Sequence, residues 1–169
     1  RLLEDCSDIY VVWKEKKSRR DFVTRESRKL ADLYSQLSQH PRCYFPGFEA
    51  SPSEVIALSD LVISFPFTST TVEAVCAGTR GMYYDAPGKF VGAYYDRIPG
   101  FVAHGYQQLY ALVRDLLYKM DEDAYRQFLQ RHIREHLDPF LDGRALSRFR
   151  ALLAGQAVDD SLWPAAVES

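Results

Sequence analysis

The densest group of side chains able to do chemistry is Thr68-Ser69-Thr70-Thr71, four consecutive hydroxyls, with the carboxylate of Glu73 just behind them. Leu61, Val62, Ile63 and Phe65 form a short apolar run before the cluster, and Met82, Tyr83 and Tyr84 form another after it. Such runs read as strands buried on both faces, and the interval leaves room for one short helix. A strand, helix and strand within about thirty residues make a βαβ unit, whose strands lie parallel and adjacent across a right-handed crossover. The hydroxyls then sit where the carboxyl end of a strand meets a helix amino terminus, the place at which open α/β sheets take ligands. Unpaired amides and the positive end of the helix dipole favour an anion such as a phosphate, and the hydroxyls add donors. Glu73 suits the hydroxyls of an attached ribose better than the phosphate itself. The same residues also fit a capping box in which Thr70 and Glu73 satisfy each other's backbone amides. Local pattern leaves both readings open.

The elements that must position this cluster follow in chain order. Residues 1–4 resemble the end of a helix entered from upstream, and the chain has the look of a piece of a longer protein. Residues 8–14, DIYVVWK, are β-branched and aromatic, so they read as a first strand. The basic loop after it contains Lys14, Lys16, Lys17, Arg19 and Arg20. In a parallel sheet Lys14, the best placed, could face the hydroxyl cluster, while the others suit a solvated turn. Residues 24–39 carry Leu30, Leu33, Tyr34 and Leu37 at helical spacing, and Pro41 ends that helix. Residues 43–45 are a second strand. Ser51-Pro52-Ser53-Glu54 is a capping-box start for a helix through Leu58, with Val55, Ile56 and Leu58 inward. The alternation of strands and helices predicts an α/β domain with a doubly wound parallel sheet. Residues 86–105, rich in proline and glycine, form a loop over the top of the sheet, and residues 101–103 a brief edge strand. Helices follow with stripes at Leu109, Leu112, Val113, Leu116 and Leu117, then, behind an Asp121 cap, at Tyr125, Phe128, Leu129, His132, Ile133, His136 and Leu137. Leu146, Phe149, Leu152 and Leu153 mark a last helix. Residues 1–155 are expected to form one domain and residues 156–169 a flexible tail.

Composition excludes several function classes. A net charge of −2 with dispersed basic residues gives no footprint for nucleic acid. No apolar run approaches the roughly 18 residues of a membrane span, and no signal-peptide pattern is present, which points to a cytoplasmic protein with at most peripheral membrane contact. Cys6, Cys43 and Cys76 lack metal or disulfide spacing and read as reduced thiols, the latter two in or near the core. His132-Ile133-Arg134-Glu135-His136 matches H-x-x-E-H, but it lies on the apolar stripe of an ordinary helix, so no metal site is assigned. His40 reads as a helix stop, and His104, in the loop region, stays open. No nucleophile elbow, P-loop or G-x-G-x-x-G occurs, and no catalytic pair or cofactor is assigned.

The run Ser59-Asp60-Leu61-Val62-Ile63-Ser64, with Pro66-Phe67-Thr68-Ser69-Thr70-Thr71-Val72-Glu73-Ala74, Ala77-Gly78 and Tyr83-Tyr84-Asp85, resembles the donor-binding carboxy-terminal half of GT-B glycosyltransferases. The closest flavour is the bacterial capsule and lipopolysaccharide enzymes, including users of CMP-linked sugars such as Kdo. The resemblance implies a Rossmann-like nucleotide-sugar-binding domain. It implies Thr68, Ser69 and Thr70 as phosphate contacts, Glu73 as the ribose contact, and Lys14, Lys16 and Lys89 as further donor contacts. Where many of these enzymes carry His-Pro after the first strand, this chain has Lys14-Glu15-Lys16. The loop Pro87-Gly88-Lys89-Phe90 would lie near the donor sugar. The nucleotide-sugar, CMP- or UDP-linked, would be the substrate. The glycan or glycolipid acceptor and the catalytic base would come from an amino-terminal domain, at the inner membrane surface. A nucleotide-sugar epimerase of related fold, or a non-catalytic nucleotide-binding module, are the alternatives.

Overall fold

A computed structural model of the chain describes residues 1–15, 28–137, 142 and 144–155. Lys16, the expected start of the 24–39 helix and the expected tail at 156–169 lie outside the described residues. The chain divides into two compact units, Arg1–Ser59 and Asp60–Ser169.

The first unit holds α1 (Leu2–Asp5), β1 (Val11–Val12), α2 (Arg28–Ser38), β2 (Cys43–Tyr44) and α3 (Pro52–Ala57). Val11 pairs with Cys43 and Val12 with Tyr44, in parallel. Of the expected strand at 8–14 only these two residues form a ladder, which the Trp13 amide extends by donating to the Tyr44 carbonyl at 2.8 Å. The Arg42 guanidinium donates to the carbonyls of Leu3 and Cys6, acceptors at the end of α1, and to that of Ile9, just before β1. Tyr34 is buried against Phe45, whereas Leu33, expected on the same stripe, is exposed. α3 begins at Pro52 as expected, but Ser51 makes no side-chain cap, and Leu58 ends the helix 87% exposed rather than inward.

The second unit holds β3 (Leu61–Ser64), α4 (Ser69–Cys76), β4 (Arg80–Asp85) and β5 (Val102–His104). α5 (Tyr106–Arg114) runs on through a π-helical turn at Asp115–Lys119. α6 (Glu122–Phe128) continues through a second such turn at Leu129–Ile133 into Arg134–His136, and α7 is Ala145–Leu153. The sheet order is β3-β4-β5, parallel throughout, with Leu61 opposite Arg80 and Asp85 opposite His104. Parallel strands alternating with helices place the chain in the α/β class. The described strands are hydrogen-bonded as two sets, β1-β2 and β3-β4-β5.

Packing explains where α4 lies. Thr71, Ala74 and Val75 face the sheet, and a Cβ at Gly81 would stand 2.9 Å from Val75 Cγ1 and 3.2 Å from the Thr71 carbonyl, so only glycine allows this approach. Val75, Tyr83, Ile98, Phe101 and Ile133 form the core. At the amino end of β4, Arg80 donates to the Met120 carbonyl and pairs with Glu122 at 2.8 Å, while the Tyr125 phenol donates to the Thr79 carbonyl. Asp121 caps α6 through the Ala124 amide, as its position suggests. One expectation fails here. Cys76 is exposed rather than in the core. On α7 the stripe of Leu146, Phe149, Leu152 and Leu153 faces solvent, and the buried residue is Arg148, paired with Asp142, whose carboxyl it holds at about 2. Among the described residues no helix is long and apolar enough to cross a membrane.

Candidate functional site

Between the end of β3 and the start of α4 the chain makes a tight turn at Phe65-Pro66-Phe67-Thr68. Pro66 is buried, and Phe67 takes φ +64°, a left-handed conformation that a bulky side chain rarely adopts. Beneath the turn runs a chain of hydroxyls. Thr71 Oγ1 lies 3.0 Å from the Met82 carbonyl, Ser64 Oγ lies 2.6 Å from Thr71 Oγ1, and Thr68 Oγ1 lies 2.8 Å from Ser64 Oγ. The Met82 carbonyl can only accept, so Thr71 donates to it, Ser64 donates to Thr71, and Thr68 shares its proton between Ser64 and the Phe65 carbonyl at 2.8 Å. From above, the Tyr83 phenol donates to the Thr68 carbonyl at 2.7 Å. Burial pushes the Tyr83 phenol up, and Tyr95 adds to it, so it remains a protonated donor.

This arrangement decides the capping question. Thr68, not Thr70, is the N-cap residue, and its side chain makes no cap bond because its hydroxyl is turned down into the turn. Thr71 occupies the third helical position and is fully buried, and Glu73 lies two residues beyond it. A capping box between Thr70 and Glu73 does not form. Ser69 is exposed and Thr70 half-buried, and among the described residues neither hydroxyl has a hydrogen-bond partner. Glu73 is exposed on the same short helix. The amino terminus of α4 thus combines backbone amides without a side-chain cap, two unengaged hydroxyls and a carboxylate, a set able to hold an anion and the polar group attached to it. Thr68 serves it by shaping the turn.

A second cluster lies at the carboxyl ends of β4 and β5. Asp85, the last residue of β4, is fully buried; His104, the last residue of β5, puts Nδ1 3.1 Å from Asp85 Oδ2 and Nε2 2.8 Å from Asp96 Oδ1. The amides of Lys89 and Phe90 donate to Asp85 at 3.1 and 2.8 Å, and that of Gly92 to Asp96 at 2.8 Å. Burial by itself would raise the Asp85 carboxyl, but the Phe90 and Lys89 amides and His104 outweigh it and hold it below its ordinary value. The Gly92 amide, then His104, lowers Asp96. Asp96, and then Asp85, raise His104 against the opposing effect of burial. An imidazolium gripped by two carboxylates is an anchor, not a free base. It fastens residues 86–101 across the sheet end, and no sequence pattern marks it, because only the pairing of β4 with β5 brings Asp85 opposite His104.

A family model described as polysaccharide biosynthesis PFTS motif protein matches residues 1–113, and the tetrapeptide Pro-Phe-Thr-Ser occurs once, at Pro66-Phe67-Thr68-Ser69. The chain belongs to this family. In this PFTS protein the tetrapeptide is the turn just described: the buried proline, the left-handed phenylalanine, the inward threonine and the first residue of α4. No curated protein and no solved structure matches the chain.

Of the remaining expected donor contacts, Lys14 in the first unit donates to the carbonyls of Phe48 and Glu15. Lys16 is outside the described residues, and Lys89 has an exposed side chain beside the Asp85 network. His132 packs on Phe128, and His136 meets Tyr94 edge-on. Among the described residues no cluster of metal-ligating side chains is present.

Proposed function

We propose that this PFTS family member is the donor-binding part of a glycosyltransferase of bacterial capsule or lipopolysaccharide biosynthesis, and that the PFTS turn holds the donor phosphate. The observation that carries this is the inward commitment of the Thr68 hydroxyl, which leaves the α4 amides uncapped beside the unpartnered Ser69 and Thr70 hydroxyls. A phosphate seated there meets the positive end of the helix dipole. Glu73, further along α4, accepts from ribose hydroxyls. When the sugar departs, negative charge grows on that phosphate, and amides already aimed at it stabilise the transition state without reorganisation. Acceptor and catalytic base come from another domain, in a GT-B arrangement with one doubly wound sheet, working at the cytoplasmic side of the inner membrane. The donor is a CMP- or UDP-linked sugar.

Thermal unfolding in the presence of CMP, UDP, GDP or ADP tests the reading. A ligand that binds only the folded state at a hundred times its Kd adds about 2.7 kcal/mol, which in a unit of this size raises the midpoint by roughly 10 °C. One nucleotide is expected to do so, and Glu73→Ala to fold normally yet lose most of the shift. A flat midpoint with all four at millimolar concentration, or a shift that Glu73→Ala leaves intact, contradicts the proposal.

A further inference from the structure

Beside the uncapped helix end lies a group of rings that the phosphate and ribose contacts do not use. Phe65 and Phe67 are 52% and 53% exposed, and both pack against Phe90 at centroid distances of 5.4 and 5.2 Å, at 82° and 60°. Tyr95 also contacts Phe67, at 5.2 Å. Two observations set this apart from an incidental apolar patch. Phe67 is the single non-glycine residue among those described with a positive φ, and strain of this kind persists where the surroundings enforce it, often at ligand clamps. Phe90 is fixed by a buried charge: its amide donates to Asp85, itself held by His104. The sheet end thus invests a desolvated carboxylate in holding a ring that contacts two half-exposed rings.

We propose that the half-exposed rings of Phe65 and Phe67, buttressed by Phe90, form the contact surface for the sugar ring of the donor. The inference rests on the donor reading above and deepens it. With the phosphate at Ser69 and Thr70 and the ribose at Glu73, the sugar on the phosphate's other side is assigned to Phe65 and Phe67, the two rings of the turn that leads into Ser69, and to Phe90, which packs on both. A pyranose face is a patch of weakly positive C–H groups and matches the negative face of an aromatic ring, while its hydroxyls stay in water. Asp85 and His104 are positioning residues for this surface.

Saturation-transfer NMR, irradiating the aromatic protons, tests it with UDP-glucose, UDP-galactose, UDP-N-acetylglucosamine, GDP-mannose, CMP-sialic acid and the matching methyl glycosides. The expected result is saturation of the C–H protons on one face of one sugar, lost at least fivefold in Phe67→Ala and in Phe90→Ala, with the nucleotide-induced thermal shift retained in Phe90→Ala. Phe67→Gly, which relieves the left-handed strain, is expected to lose the same transfer while keeping a midpoint no lower than that of the unaltered protein. Nucleotide binding without transfer to any sugar, or transfer that survives Phe67→Ala, overturns the contact surface and leaves the donor reading standing. Transfer from methyl glycosides without any nucleotide binding keeps the contact surface and removes the donor reading. Neither signal overturns both.

Discussion

Replacing His104 by alanine is expected to cost about 2–3 kcal/mol of unfolding free energy near pH 5.5, because it leaves two carboxylates facing an empty site that a cation had filled. In a unit of this size that lowers the midpoint by roughly 10 °C. The cost depends on pH in a stated direction. His104 is raised by Asp96 and Asp85, so its contribution is full below the unfolded histidine value of about 6.5 and fades as pH climbs through the higher folded value. Asp85 and Asp96 are lowered, so theirs is full above about 4 and fades as pH falls through their depressed folded values. The difference between the protein and His104→Ala is therefore largest between about pH 4 and 6.5. It shrinks at pH 9, where a neutral imidazole can donate to one carboxylate only. Urea unfolding of both proteins across this range measures it. A difference independent of pH, or growing toward pH 9, contradicts the ion-pair account.

Tyr83 carries the second large effect. Its ring is fully buried in the core, in contact with Tyr95 and Phe101 at 4.9 and 5.3 Å, and its hydroxyl holds the PFTS turn through the Thr68 carbonyl. Tyr83→Ala opens a cavity and is expected to cost about 3–5 kcal/mol. Tyr83→Phe keeps the ring and removes one hydrogen bond, for about 1 kcal/mol. The two substitutions separate packing from turn support. If the phenol holds the turn, Tyr83→Phe loses nucleotide affinity out of proportion to its small loss of stability. Equal nucleotide affinity in Tyr83→Phe and the unaltered protein assigns Tyr83 to packing alone.

The βαβ unit around the PFTS turn is legible in the sequence because its information is local: two apolar runs, a cluster of hydroxyls and one short helix between them. The parallel pairing of β3 with β4 follows from that spacing. The exact start of α4 does not, since a Thr-x-x-Glu pattern is satisfied equally well on paper at Thr70. Ser64 and Tyr83 decide otherwise by occupying the hydroxyl and carbonyl of Thr68 from outside the helix. The His104 anchor was illegible for the same reason. Its carboxylates lie 19 and 8 residues away along the chain, and only the pairing of β4 with β5 brings Asp85 opposite His104. Leu58, Leu33 and the α7 stripe show the opposite limit, because periodicity identifies an amphipathic face without saying what covers it.

The central claim is that the amino terminus of α4 grips the donor phosphate, and the backbone amides of Ser69, Thr70 and Thr71 can report this directly. Proton–nitrogen correlation spectra of labelled protein, titrated with the nucleotide selected by thermal unfolding, are predicted to show those three amides moving downfield with a common saturation curve, and moving more than any amide in the first unit. Saturable shifts confined to other segments, with Ser69, Thr70 and Thr71 unmoved, would contradict the account.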